Sequence, residues 1–332
     1  MLRDNPAGLT DPINDNAGVP LSAGAIAKMG QMNPLISAVI PTHNRPQLVC
    51  RAVRSALNQT YENLEVIVII DGPEPATRRM LEDLQEPRMH VIELQTNMGI
   101  SEVRNIGAHE AKGEWISFLS DDDEWLPHKI ERQTEALTPF DPCTNFVACR
   151  YETRGTVYRR TLPRNFPKPQ ENLSEYIYCR SESINSGSLI RRDLIVSFPY
   201  ISGLQINEDS DWLLRVHAAK RLRLKCVDET LAIIHQERTW THLSLNTDWR
   251  IYVRWAQMNI TLLTPKSFAA CLLRNCVALA VDNHGNRLEV LRIIWTAWKE
   301  GAPRHRDVFF ALARAISPGW FIELSKRALR RT

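Results

Sequence analysis

Between residues 35 and 137, four short apolar runs alternate with segments of helical spacing, and this alternation constrains the fold more than any other feature. The runs are LISAVI (35–40), LEVIVII (64–70), MHVIEL (89–94) and EWISFL (114–119). Continuous apolar runs of this length predict strands that are buried on both faces, as in parallel sheets covered by helices. The expected fold class is therefore α/β, with a Rossmann-like, mostly parallel sheet and helices on both faces.

Helical periodicity fills the gaps between these predicted strands. Pro46 opens a segment whose apolar residues recur at helical intervals, which is typical of a proline at the first position of a helix. A polar helix is expected near 75–86 and another over about 101–111. We also expect a helix to begin at Trp125–Pro127, directly after three aspartates.

Composition divides the chain into three parts. Residues 1–34 are rich in Asn, Pro, Gly and Ala and are expected to form a flexible N-terminal arm. Residues 35–244 are expected to form the α/β domain, with an irregular pattern after about 140. Residues 245–332 are expected to form a helical, basic C-terminal region. Its tail, 287–332, holds ten Lys and Arg against four acids and includes Trp295, Trp298, Phe309, Phe310, Trp320 and Phe321.

Bulk properties exclude several classes of protein. The net charge of +3 is too small to predict a nucleic-acid partner. The seven cysteines show no CxxC spacing, and their odd number argues against a disulfide framework, so a reduced, cytoplasmic location is expected. No signal-peptide pattern and no run of 18 apolar residues is present, so no spanning helix is predicted. The basic, aromatic tail suits either an anionic membrane surface or an ordinary solvated helical face.

Polar residues follow three of the predicted strands, at the edge where α/β sheets bind their ligands. Thr42, Asn44 and Arg45 follow the first strand, Asp71 the second, and Asp121–Asp123 the fourth. Adjacent carboxylates predict a site for Mg²⁺ or Mn²⁺, although an acidic helix cap gives the same pattern. Asp71 could accept a hydrogen bond from a nucleobase N–H, or could simply form an Asp-Gly turn.

Two later stretches also offer chemistry. NEDSDW (207–212) places Glu208 and Asp209 at a predicted helix start, where a carboxylate could be a general base or merely a favourable N-terminal charge. HQERTWTH (235–242) offers His235 as a metal ligand and Arg238 as a diphosphate ligand, or only ordinary loop polarity.

Four stretches together are similar to one known family. They are SAVIPTHNRPQLVCRAVRSALNQTY (37–61), EVIVIIDG (65–72), NMGISEVRNIGAHEAKGEWISFLSDDDEWLPHKIERQ (97–133) and NEDSDWLLRV (207–216). They resemble the family 2 glycosyltransferases of the GT-A fold. These enzymes move a sugar from a nucleotide-diphosphate sugar to an acceptor hydroxyl, with inversion at the anomeric carbon. The resemblance implies a nucleotide-sugar donor, most simply a UDP-sugar, and a saccharide or lipid-linked acceptor in bacterial surface polysaccharide or glycolipid synthesis.

The resemblance also implies a role for each matched residue. The nucleotide would be bound by Thr42, Asn44, Arg45, Asp71, Arg104, Asn105 and Asp121, with Glu208 and Arg238 as further substrate-binding residues. The metal, Mn²⁺ or Mg²⁺, would be held by Asp122, with Asp123 and His235 as further ligands. Asp209 would be the catalytic base, with Glu208 and Asp211 as rivals close in sequence. The location would be cytoplasmic, with possible peripheral attachment at the inner face of the plasma membrane.

Two positions depart from the family pattern. Ile70 stands where the family often has a first acid before Asp71, and Ser120 stands where it often has the first Asp of its Asp-x-Asp motif. Two other functions fit parts of the same sequence. One is a non-catalytic nucleotide-sugar-binding protein, and the other is a nucleotidyltransferase, although the Gly-rich phosphate loop typical of the latter is not seen.

Overall fold

A computed structural model describes residues 33–137, 143–155, 158–204, 206–236, 248–283 and 285–316. Within these ranges the chain forms one nine-stranded sheet. The strands are β1 (Ile36–Thr42), β2 (Leu64–Ile70), β3 (Met89–Glu93), β4 (Trp115–Phe118), β5 (Glu124–Trp125), β6 (Phe146–Arg154), β7 (Arg159–Leu162), β8 (Leu189–Arg191) and β9 (Leu224–His235). The helices up to β9 are α1 (Pro46–Leu57), α2 (Pro75–Glu82), α3 (Ile100–Glu110), α4 (Lys129–Glu135), α5 (Leu173–Arg180), α6 (Arg192–Ser197) and α7 (Glu208–Ala218).

The first four strands form the parallel half of the sheet, in the order β3-β2-β1-β4. Every residue of β1 and of β2 is buried, because helices cover both faces. α1, α2 and α3 connect these strands and begin within one residue of the predicted positions. The predicted α/β class and its parallel sheet are confirmed.

The second half of the sheet is mixed rather than parallel. It continues from β4 in the order β8-β6-β9-β5, with β7 paired to β6. β8 runs antiparallel to both β4 and β6, whereas β6 and β9 are parallel with a register shift near Arg150. The prediction that a helix begins at Trp125–Pro127 is wrong. Trp125 lies in β5, which pairs with β9, and the Leu126 N–H donates to the Leu231 carbonyl, so α4 begins only at Lys129.

The strand order creates a crevice between β1 and β4. The chain passes from β1 outward to β2 and β3 and then returns to the other side of β1 as β4. Helical connections therefore diverge at this point, leaving room beyond the carboxyl ends of the two strands. Thr42–Arg45, at the end of β1, and Ser120–Asp123, after β4, meet there as predicted.

The C-terminal region is helical, as expected, through the residues described. Its elements are α8 (Trp249–Met258), a 3₁₀ turn (Ile260–Leu262), α9 (Pro265–Ala270), a π-helical segment (Cys271–Cys276), α10 (Val277–Asp282), α11 (Arg287–Glu300) and α12 (His305–Ile316). The described residues of this region form no separate core. Phe268 and Ile293 belong to the same hydrophobic cluster as Trp212 of α7 and Phe146 of β6. The region therefore packs on one face of the sheet domain. None of the described helices is long and apolar enough to cross a membrane.

Candidate active site

A cleft lies beyond the carboxyl end of β4 and is lined by one residue from each of the two predicted acid clusters. Asp123 lies on one side of it, and Asp209, at the start of α7, lies on another. The remaining lining residues are Arg104, Phe118, Leu119, Ser120, Trp125, Asn185, Ser186, Gly187, Ser188, Ile190, Tyr200, Ala232 and Ile234. Residues 120 and 209 are far apart in sequence, so only the fold could place them together.

Asp121 is buried and is held by Thr42, the last residue of β1, and by Arg45 in the turn that follows. The Thr42 hydroxyl donates to its Oδ2 at 2.9 Å, and Arg45 Nη1 donates to its Oδ1 at 3.1 Å. Burial raises the pKa of Asp121, Arg45 opposes this, and the neighbouring Asp122 carboxylate adds to it. Thr42 therefore faces an acid of the site rather than open solvent, and it fixes where the triplet leaves β4.

Asp122 and Asp123 have different surroundings. Asp122 Oδ2 accepts from Arg45 Nη1 at 3.2 Å, and its backbone carbonyl accepts from Arg51. Asp123 is buried, and its Oδ1 accepts from the backbone N–H of His235 at 3.0 Å. Burial raises the pKa of Asp123 well above its ordinary value, and the Asp122 charge raises it further. Asp123 thus ties the turn to the end of β9.

His235 uses its imidazole elsewhere. Its Nε2 lies 2.6 Å from Glu124 Oε1, across the β5–β9 pair. Among the residues that the structure describes, no three Asp, Glu, His or Cys side chains form a group able to hold a metal ion. The predicted set of Asp122, Asp123 and His235 is therefore not assembled as a three-ligand site.

The acid triplet still suits a divalent cation. Mg²⁺ is commonly held by one or two carboxylates together with phosphate oxygens of the substrate and water, so three protein ligands are not needed. The donors here are hard carboxylate oxygens, and the guanidinium of Arg45 faces both Asp121 and Asp122. This donor set fits Mn²⁺ or Mg²⁺ at Asp122 if Arg45 shares or yields its contact.

Asp71 orders the loop before α3. Its two carboxylate oxygens accept from the backbone N–H groups of Met98 (2.6 Å) and Gly99 (3.0 Å). Gly72, which follows, has φ +120°, a conformation that only glycine adopts readily. Each carboxylate oxygen has a second lone pair, so contact with a nucleobase remains compatible with these bonds.

The turn after β1 is tied to the turn after β2. His43 Nδ1 donates to the Asp71 carbonyl at 2.7 Å, which leaves Nε2 to accept from the Asn44 amide at 2.8 Å. Asn44 has φ +55°, and its backbone N–H donates to Glu74 Oε1. His43 is therefore a satisfied loop histidine, and Asn44 lies exposed at the rim of the site.

Arg104 donates hydrogen bonds to Asp209, the predicted catalytic base. Its Nη1 donates to Asp209 Oδ1 at 2.7 Å, its Nη2 donates to Asp209 Oδ2 at 3.3 Å, and Nη1 also lies 3.3 Å from Glu208 Oε1. Burial lowers the pKa of Arg104, but the charge of Asp209, with smaller contributions from Tyr200 and Glu208, outweighs this and raises it. The guanidinium is thus always charged, and its two-pronged contact fixes the orientation of Asp209.

Aromatic rings hold Arg104 in turn. Its guanidinium carbon lies 5.6 Å from the ring centroid of Phe118 and 5.2 Å from that of Tyr200. Asn105 was expected to lie near the nucleotide. Its carboxamide instead makes two hydrogen bonds of 2.9 Å to the backbone of Tyr200, donating to the carbonyl and accepting from the N–H. The Arg104-Asn105 pair therefore builds the support for Asp209.

The two rivals of Asp209 are separated by the structure. Asp211 is fully buried, where Arg215 Nε and Trp255 Nε1 donate to its two oxygens at 2.8 and 2.9 Å, so it faces the C-terminal helices. Glu208 remains beside Asp209, and burial, followed by the Asp209 charge, raises its pKa. Asp209 has the more exposed side chain of the neighbouring pair, at 40% against 20%.

Lys129 is a buried cation that the sequence did not reveal. It is fully buried at the first turn of α4, and its Nζ donates to Ser117 Oγ and Gln133 Oε1 at 2.8 Å each. Nζ also lies 4.1 Å from the ring centroid of Trp125, which lines the cleft. Burial lowers the pKa of Lys129 to about 7. Lys129 therefore supports the floor of the cleft from behind.

Two of the candidate residues cannot be placed, and several cleft residues were not predicted from the sequence. Arg238 and His242 lie outside the described residues. The sequence missed Asn185–Ser188, which line the cleft from the irregular stretch between 140 and 206. It also missed Tyr200, since no short motif marks an aromatic residue that stacks on a distant arginine.

Comparison with known proteins shows that much of the sheet domain matches one protein family. Residues 37–196 match the protein family described as Glycosyl transferase family 2. Just under half of the chain is therefore similar to the family 2 glycosyltransferases. Strands β1 to β4, the acid triplet and the Asn185–Ser188 wall lie within the matched range, whereas Asp209 follows it.

Curated proteins similar to this chain are also named as glycosyltransferases. An uncharacterized glycosyltransferase of Haemophilus influenzae (strain ATCC 51907 / DSM 11121 / KW20 / Rd) is 30% identical over 188 residues, covering 55% of this chain and 62% of the relative. A putative colanic acid biosynthesis glycosyl transferase of Escherichia coli (strain K12) is 40% identical over 100 residues, covering 30% of this chain and 36% of the relative. The chain thus spans less than two thirds of the length of either relative.

Solved structures extend the likeness beyond the glycosyltransferase domain. The crystal structure of S. aureus TarS 1–349 has a TM-score of 0.55 and 17% identity, covering 88% of this chain and 91% of that one. Its complex with UDP-GlcNAc has a TM-score of 0.51 and 15% identity, covering 79% and 72%. The expected GT-A fold is confirmed, and the likeness includes part of the helical C-terminal region.

Proposed function

We propose that the protein is an inverting glycosyltransferase that moves a sugar from a UDP-sugar to an acceptor hydroxyl, with Asp209 as the general base. The observation that carries the proposal is the cleft itself, which is lined both by Asp123 of the acid triplet after β4 and by the oriented carboxylate of Asp209 at the start of α7. The family match and the relatives' names support sugar transfer as the class of reaction.

The proposed chemistry is one displacement. The acceptor hydroxyl gives its proton to Asp209, its oxygen bonds to the anomeric carbon, and the bond from that carbon to the β-phosphate oxygen breaks, releasing UDP. A single displacement inverts the anomeric centre and needs one base, whereas a retaining glycosidase needs two carboxyl groups flanking the bond. Arg104 supports the step by holding the Asp209 carboxylate in one orientation, which lowers the entropic cost of reaching a reactive geometry.

The proposed donor site lies along the turns after β1, β2 and β4. Asp122 would hold Mn²⁺ or Mg²⁺, which when bound offsets the charge that develops on the leaving diphosphate. Asp71 and Thr42 would shape the nucleobase and ribose side, with Asn44 and Arg45 at its rim. UDP as the nucleotide is supported by the similar fold of S. aureus TarS, whose structure was solved with UDP-GlcNAc.

The proposed pathway is bacterial surface polysaccharide or glycolipid synthesis, with a saccharide or lipid-linked acceptor. The Escherichia coli relative, described as acting in colanic acid biosynthesis, supports this assignment. The proposed location is the cytoplasm, with peripheral attachment at the inner face of the plasma membrane, where a lipid-linked acceptor would be reached.

A thermal-shift panel tests the donor and the metal together. UDP, GDP and dTDP are each titrated with and without Mn²⁺, and turnover is then followed by release of the nucleotide from its sugar. We expect UDP with Mn²⁺ to raise the Tm most, and ¹H NMR of the product to show inverted anomeric configuration. Stabilisation by UDP without turnover of any UDP-sugar would favour a non-catalytic nucleotide-sugar-binding protein. Release of pyrophosphate from a nucleoside triphosphate would favour a nucleotidyltransferase.

A further inference from the structure

The outward face of α11 is apolar although it faces solvent. Leu288, Leu291, Trp295 and Trp298 are between 45% and 66% exposed. Their spacing of three, four and three residues confines them to an arc of about 80°, at roughly 100° per residue. The opposite side of the helix is buried in the core of the C-terminal region. This stripe is therefore a surface in its own right, additional to the side that stabilises the fold.

The next helix presents a similar face. On α12, Phe309, Phe310 and Ile316 are between 61% and 71% exposed, and the two phenylalanine rings contact each other edge to face at 5.7 Å between centroids. α11 and α12 pack against each other. Scattered exposed apolar residues are ordinary, but a group of large ones on two adjacent helices marks an interaction surface.

Positive charge borders this surface. At roughly 100° per residue, Arg287 lies on one side of the α11 stripe, and Arg292 and Lys299 lie on the other. Arg306 lies at the start of α12. All four are exposed, and none pairs with a carboxylate of the described residues. The acids of the two helices are otherwise engaged: Glu289 pairs with Arg250 and Asp307 is buried between two arginines, so only Glu300 offsets this charge.

We propose that this surface docks the protein onto an anionic membrane. The surface, here called the aromatic face, comprises Leu288, Leu291, Trp295, Trp298, Phe309, Phe310 and Ile316 with Arg287, Arg292, Lys299 and Arg306. Indole and phenyl rings enter the boundary between headgroups and acyl chains, while Arg and Lys side chains reach the lipid phosphates. A helix that lies in the membrane plane needs one apolar side and flanking cations, and α11 has both.

Charge argues against the other occupants. A second copy would bring two sets of unpaired cations together across a like-charged interface. The chain that follows Ile316 is itself basic, with Lys326, Arg327, Arg330 and Arg331 against Glu323, so it would also be repelled. An anionic lipid surface attracts both the aromatic face and that tail.

Vesicle flotation of the full-length chain tests the proposal. Vesicles of phosphatidylcholine alone are compared with vesicles that also contain phosphatidylglycerol. We expect binding to the anionic vesicles that falls as salt rises. Arg292→Gln with Lys299→Gln should lower partitioning about 25-fold, because each basic group near the surface contributes a factor of about five. Trp295→Ala with Trp298→Ala should also lower partitioning. The matched control is Met258→Ala with Ile201→Ala, which removes two exposed apolar side chains that lie outside α11 and α12.

Three results would overturn the proposal. The first is no binding of the wild type to anionic vesicles, and the second is unchanged binding of both double variants. The third is a wild-type dimer in light scattering that Trp295→Ala with Trp298→Ala converts to a monomer, which would assign the aromatic face to a second copy. The catalytic proposal is tested separately, because Asp209→Asn should bind vesicles as the wild type does.

Discussion

The two acid clusters of the cleft hold their charge in opposite ways. The strand-end cluster, Asp121–Asp123, packs three carboxylates into one buried turn, where burial raises the pKa of Asp121 and of Asp123. The helix-start cluster presents Asp209, whose carboxylate is more exposed and is matched by the two-pronged contact from Arg104. One cluster is crowded with negative charge, and the other is oriented by a fixed cation.

This difference suggests a division of labour. A crowded cluster of carboxylates is relieved by a cation, so it suits binding of a metal and a diphosphate. A single oriented carboxylate suits proton transfer, for which geometry matters first. Changes in the two clusters should therefore affect different steps, and the predictions below run from the largest expected effect to the smallest.

Asp209→Asn should have the largest effect. We expect kcat to fall about a thousand-fold, because an amide cannot take the acceptor proton and a general base typically contributes a factor of 10² to 10⁴. The measurement is UDP release from a UDP-sugar at saturating acceptor. Glu208→Gln, which changes the neighbouring acid, should keep kcat close to the wild-type value. If Glu208→Gln is the inactive variant and Asp209→Asn is not, the base is Glu208.

Asp122→Asn should weaken the strand-end cluster. We expect kcat/KM to fall about a hundred-fold, because loss of a metal ligand removes a few kcal/mol of transition-state stabilisation. A titration of turnover against Mn²⁺ should require more metal. The matched control is Asp228→Asn, an exposed carboxylate of β9 that pairs with Arg150. An unchanged metal requirement in Asp122→Asn would remove Asp122 from the metal site.

Arg104→Lys tests the orientation of Asp209. Lysine keeps the charge but cannot make the two-pronged contact, so kcat should fall about ten-fold or more from misplacement of the base. KM for the donor should change little, because Arg104 acts as a positioning residue here. A rise in donor KM with unchanged kcat would instead assign Arg104 to the nucleotide.

Lys129 provides the smallest effect, on stability rather than on catalysis. Its pKa of about 7 in the folded protein lies below the unfolded value near 10.4, so between these values the unfolded chain binds more protons. The free energy of unfolding should therefore rise with pH in this window, by at most about 1.4 kcal/mol per pH unit. Denaturant titrations at pH 7 and pH 9 should show this gain in the wild type and not in Lys129→Met. An equal pH response in both proteins would contradict a buried, titrating lysine.

Much of the fold could be predicted because it depends on local patterns. The largely apolar runs of β1 and β2 and the proline that opens α1 are visible in the sequence and act through neighbouring residues. β5 was missed because it is two residues long and exists only through pairing with β9. The mixed half of the sheet was hidden because its long strands intersperse apolar residues with charged ones, as in FVACRYETR of β6 and LKCVDETLAIIH of β9.

The partners of the site residues could not be predicted. Arg104 and Asp209 are 105 residues apart, and Thr42 and Asp121 are 79 apart, so their contacts follow from the assembled fold alone. One distinction was available from periodicity. Asp209 and Asp211 lie about 200° apart on a helix, so only one of them could face the cleft.

Binding of UDP to Asp122→Asn and Asp209→Asn, with and without Mn²⁺, tests the division of labour most directly. Calorimetry should show that Mn²⁺ tightens UDP binding to the wild type and equally to Asp209→Asn, although the latter has lost turnover. Asp122→Asn should lose the tightening by Mn²⁺. If Asp209→Asn loses it and Asp122→Asn keeps it, the two clusters do not divide metal binding and proton transfer in this way.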